Sequence, residues 1–91
     1  MGSCKKYVEG FNLVRFVEQD LAALRCIIES IKNNVNRLGN ILNEDIEAEN
    51  KHIETITRAL EHLEMNINTL RRALIVRAID EGCAEIRFKV R

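Results

Sequence analysis

From Ile53 to Leu74 the aliphatic residues fall at Ile53, Ile56, Leu60, Leu63, Ile67, Leu70 and Leu74. The steps alternate three and four without a break. That is a heptad repeat, with Ile53, Leu60, Ile67 and Leu74 at position a and Ile56, Leu63 and Leu70 at position d. A single helix cannot bury such a stripe against itself. The stretch therefore demands a partner helix, from the same chain folded back or from a neighbour.

A second array precedes it: Val14, Val17, Leu21, Leu24, Ile28, Ile31, Val35, Leu38 and Leu42. Its g positions are also partly apolar, at Leu13, Ile27 and Ile41, and Phe16 widens the stripe at c. A stripe over a, d and g suits a helix with two neighbours. Branched residues at both a and d (Val14 with Val17, Ile28 with Ile31) favour three or four strands over two. In the Ile53 array the g positions are small, Ala59 and Ala73 with Asn66 between them, which allows close approach on that flank. The sixteen a and d residues of the two arrays form the expected oligomer interface. The expected partner is a second copy of the chain, as a trimer or tetramer, or another helical protein.

The composition agrees with an all-α coiled coil. The chain has 91 residues, no proline, four glycines, 4% aromatic and 31% charged residues. A compact β-rich or α/β core uses more aromatic and turn residues than this.

The two arrays do not share a register. Eleven residues separate Leu42 from Ile53, seven plus four, which is a stutter. A continuous helix absorbs a stutter by local unwinding, but Asp45 and Glu49 would then enter the core beside Ile46. The alternative is a hairpin, with Gly39 past the end of the first helix and Asn43 capping the second. The hairpin is preferred because it keeps the acidic residues out of a core layer. On this reading residues 1–12 are an N-terminal tail. The first helix covers 13–38, with Ile41 and Leu42 continuing its stripe. A connection follows at 39–43, and the second helix covers 44–81. At ~1.5 Å per residue the second helix outreaches the first by ~18 Å, leaving an overhang. Residues 82–91 make a basic tail in which Ile86, Phe88 and Val90 alternate with charged residues, the period of a half-buried strand.

Several function classes are disfavoured. Formal net charge is zero, and the residues before Ile53 (Glu44, Asp45, Glu47, Glu49) are acidic. A zipper that binds DNA needs a basic helix there, so no nucleic-acid partner is expected. No apolar run is long enough to cross a membrane, so no direct insertion is expected. The arrays hold no polar central layer of the kind membrane-fusion bundles use. His52 and His62 are ten apart, which matches no metal motif, and no catalytic grouping has a concave pocket to work in. The chain is read as non-enzymatic, without metal or cofactor. Cys4, Cys26 and Cys83 form no metal-ligating pair. They are read as reduced thiols of a cytoplasmic or otherwise soluble chain. Cys26 falls at f, facing solvent, where it is available for an interchain disulfide.

Residues 63–75 carry Leu63-Glu64, then Thr69-Leu70-Arg71, then Ala73-Leu74-Ile75. This segment resembles the C-terminal leucine zipper of the chordopoxvirus envelope fusion-protein family. The resemblance implies a short, oligomeric coiled coil held at the virion surface through other membrane proteins and contributing to attachment and fusion. It covers about a seventh of the chain. The paired cysteines that precede the family's zipper have no counterpart at residues 50–58, and its glycosaminoglycan-binding arm is absent. Three functional readings stand at this point. The first is a coiled-coil oligomerisation or scaffold protein acting through its a/d seam. The second is a virion attachment or fusion component. The third is a truncated subunit of a hetero-oligomer.

Overall fold

The two arrays fold back on each other. In a computed structural model describing residues 2–83, α1 (Gly2–Leu42) and α2 (Glu47–Asp80) lie antiparallel as a hairpin. Cross-helix pairs run in opposite chain directions: Cys4 with Cys83, Glu18 with Arg71, Arg25 with Glu64, and Asn36 with Asn50. The described residues span 63 Å along the long axis and 17 Å across each short one. The alternating tail of residues 85–91 lies outside the described residues, among which no strand occurs.

The turn lies four residues later than the sequence predicts. Gly39 is inside α1, and Asn43 is the residue that leaves it, at φ 54°. The Glu44 N–H donates to the Gly39 carbonyl (3.0 Å) and the Asn43 N–H to the Asn40 carbonyl (3.3 Å). This pair of bonds around a left-handed residue satisfies the last carbonyls of a helix, and asparagine tolerates that conformation better than most residues. Gly39 is needed for a different reason. A Cβ there would lie 2.8 Å from Cγ2 of Ile46, so glycine makes room for the connection to fold onto α1. Asn43 is thus an exit residue and not the cap of α2. The Asp45 carboxylate instead accepts the Glu47 N–H at 3.0 Å, and Glu47 and Glu49 sit in the first turn, where the helix dipole favours acidic groups.

α1 also starts earlier than residue 13. Residues 2–12, read as part of a tail, continue the helix, and Tyr7, one heptad before Val14, continues its a row. Tyr7 and Phe11 are buried against Ala78 and Cys83, with Cys4, Leu74 and Ile75 packed around them. Glycine inside a helix costs about 1 kcal/mol relative to alanine. At Gly10 that loss has a packing return, since a Cβ would meet both Leu74 methyl groups at 3.0 Å. α1 is consequently the longer helix, 41 residues against 34, the reverse of the predicted overhang.

α2 ends at Asp80, and Gly82 follows at φ 76°. The Cys83 N–H donates to the Ala78 carbonyl and the Gly82 N–H to the Ile79 carbonyl, which turns the chain back towards α1. Cys83 is thereby delivered to Cys4, and the two form a disulfide that ties the open end of the hairpin. The expectation of three reduced thiols is corrected: two are joined, and Cys26 alone is free and exposed. A separation of 79 residues concealed the pairing, because nothing in the spacing says that the two chain ends meet.

Candidate assembly interface

One helix–helix contact covers only one stripe on each helix. Here it covers the a rows. Leu21 and Leu60 are buried, and Val14, Ile28, Val35, Ile53, Ile67 and Leu74 are half-buried. Leu42 falls outside the contact, at the turn, and is exposed. On the other edge of the contact lie the e positions: Phe11, Glu18, Arg25 and Gly39 of α1, and Asn50, Thr57, Glu64, Arg71 and Ala78 of α2. Bulk and charge match across them. Phe11 lies by the small Ala78. Arg25 pairs with Glu64, and Arg71 lies 3.6 Å from Glu18.

These ion pairs set alignment more than they add stability. Each is partly exposed, and such pairs contribute about 0.2–1 kcal/mol. Sliding one helix by a heptad brings Glu18 opposite Glu64, or Arg25 opposite Arg71, so the alternation penalises both slipped registers. Near the turn, Asn50 donates its side-chain N–H to Asn36 Oδ1 at 3.4 Å, a polar layer that also marks register.

The d residues have no partner within the hairpin. Leu24, Ile31, Leu38, Ile56, Leu63 and Leu70 are all exposed, and Val17 is half-buried. Leu60 is 6% exposed and Leu63, three residues on, is 45% exposed. Their location follows from helix geometry. At about 100° per residue, a and e lie ~40° apart, while d and g lie together on one side of them. In an antiparallel pair, equivalent positions of the two helices fall on the same side. The d and g rows of α1 and α2 therefore form one continuous apolar face. Leu13, Ile27 and Ile41, all exposed, belong to it. The opposite side, made by b and f positions, carries Arg15, Glu29, Glu54, Arg58, Glu61 and Arg72. Cys26 lies on that charged side.

The open end has its own polar lock. The Tyr7 hydroxyl donates to the Glu81 carboxylate. That hydrogen bond, helped by burial and by the charge of Glu81, favours the neutral phenol and raises the Tyr7 pKa above its ordinary value of about 10. The stabilising contribution is fully present below pH ~10 and is lost as pH rises through the raised folded value. Tyr7 is the only tyrosine and the chain has no tryptophan. Alkaline titration of phenolate absorbance should therefore give a single step, later than that of the unfolded chain. Glu81→Gln should move the step back towards the ordinary value.

The sequence-predicted interface thus divides. Its a residues close the hairpin, apart from Leu42, and its d residues remain outside. The e rows were missed. The signal that identifies them is the alternation of Glu18 and Arg25 against Glu64 and Arg71, which cannot be aligned until chain direction is known. His52 and His62 both lie within α2 and are exposed, at g and at c. No protein family, no curated protein and no solved structure matches this chain.

Proposed function

We propose that this chain is a non-enzymatic helical scaffold that oligomerises through the row of d residues its hairpin leaves uncovered. The observation supporting this reading is the exposure of Leu24, Ile31, Leu38, Ile56, Leu63 and Leu70 on one face. An apolar face crossing two helices is larger than a monomer commonly leaves in water. The hairpin is also thinly cored. Its buried apolar residues are Tyr7, Phe11, Leu21, Leu60, Ala78 and Cys83 among those described, and a chain of this size draws little stability from one small core. Covering the half-exposed d side chains would contribute about 1 kcal/mol each. The Cys4–Cys83 bond supports a working environment that is oxidising, in place of the reducing one read from the sequence. No described helix is long and apolar enough to cross a membrane.

Leu63→Asp is the test. It places a charge in the uncovered row without touching the a-row contact. The helix content and the Cys4–Cys83 bond should persist while sedimentation reports a fall from oligomer to single chain. An unchanged particle mass would refute the reading.

A further inference from the structure

We infer that the occupant of the d/g face is a second copy of this chain, docked about a two-fold axis parallel to the helices, so that α1 of each copy lies on α2 of the other in a four-helix bundle. This rests on the proposed role of the face in oligomerisation and specifies its partner and geometry. Three features carry it.

The first is angular. The a/e contact and the d/g face are centred about 110° apart around each helix. A square four-helix bundle gives every helix two neighbours roughly at right angles. The hairpin occupies one of these directions, and the apolar face points along the other.

The second is the match along the face. The cross-helix pairs Asn36–Asn50 and Cys4–Cys83, the latter with Cα atoms 5.7 Å apart, fix the relative heights of the two helices. At equal height, to within about one residue, Leu13 lies level with Ala73, Asp20 with Asn66, Ile27 with Ala59, and Asn34 with His52. Large meets small and polar meets polar in alternation. A two-fold axis along the bundle preserves height, so it converts these levels into contacts between α1 and the partner's α2. The d rows match likewise, with Leu24 level with Leu63 and Ile31 level with Ile56. A two-fold axis across the bundle would instead stack α1 on α1 and α2 on α2. With that axis at the level of Ile27 and Ala59, Ile27 would crowd the same residue of its copy while Ala59 left a gap against its own.

The third is size. A face 63 Å long and 17 Å wide has an area on the order of 1,000 Å², above the ~800 Å² per partner of a stable interface. The charged b/f side offers no comparable apolar area.

The test uses the full chain carrying Cys26→Ser, with the native disulfide intact. Copies with Ile27→Cys and differently tagged copies with Ala59→Cys are refolded together and oxidised without denaturant. The expected product is the mixed dimer, joined between residues 27 and 59, while neither variant alone forms a covalent dimer. A second pair, Leu13→Cys with Ala73→Cys, should behave alike and guards against a local folding defect. A covalent dimer from the Ile27→Cys copies alone would overturn the arrangement in favour of α1 on α1. Dimeric mass by sedimentation with no cross-link at either pair would overturn this face as the interface. Monomeric mass of the unmodified chain would instead mean that the scaffold reading itself fails.

Discussion

Breaking the Cys4–Cys83 bond should lower the stability of the hairpin by about 4 kcal/mol, the entropy of leaving a loop of this length unclosed in the unfolded chain. The bond spans nearly the whole described chain, its cysteines 79 positions apart, so its effect on the unfolded ensemble is close to the greatest available to a chain of this length. For a domain of this size the loss corresponds to a fall in melting temperature of roughly 15–30 °C. Cys4→Ser, Cys83→Ser and chemical reduction should act equally. Cys26→Ser should leave the transition where it is, because that thiol is free and exposed. The packing at the open end follows the bond. Tyr7 and Phe11 are buried partly by Cys83, and beside the bond the turn at Gly82 is held to α1 by this packing and by the Tyr7–Glu81 hydrogen bond. Thermal unfolding followed by circular dichroism, with and without reductant, measures all four cases. An unchanged melting temperature on reduction would contradict the clasp.

The second large effect separates two leucines three residues apart. Leu60→Ala removes a buried side chain from the a-row contact and should cost ~2–5 kcal/mol, the range for a core leucine truncated to alanine. That cost belongs to the hairpin itself, so it should appear at every chain concentration. Leu63→Ala removes a side chain the hairpin leaves 45% exposed. Its cost should be small in dilute solution and should grow at concentrations where the oligomer forms, since only the partner covers the missing atoms. Denaturant titrations at two well-separated concentrations read the difference. Equal, concentration-independent losses at both positions would mean that Leu63 is buried within a single chain.

Much of the secondary structure was legible because heptad spacing is a local property. Two long helices, the a rows, and the need for a partner follow from steps of three and four. The helix ends were less legible for identifiable reasons. Gly39 has the look of a terminator, yet its lack of a Cβ serves Ile46, a contact made across the turn. Gly10 has the look of a helix breaker, yet Leu74 occupies the space beside it. A glycine's meaning depends on what approaches it, and both neighbours arrive through tertiary contact. Asn43 was correctly placed near the turn but in the opposite role, ending one helix and not beginning the next.

The candidate interface was legible as a set of residues but not as a division among them. A heptad pattern assigns a and d to one core without distinguishing which partner covers which row. That distinction appears only when two helices meet, because their contact is one stripe wide and centres on a and e. By itself the sequence determined the helices, the apolar rows and their alternation, all of which depend on residues within a few positions of one another. The tertiary structure decided the chain reversal at residues 43–46, the joining of Cys4 to Cys83, the pairing of Glu18 and Arg25 with Arg71 and Glu64, and the exposure of the d rows. Each of these depends on groups brought together from distant parts of the chain, at distances local spacing does not encode.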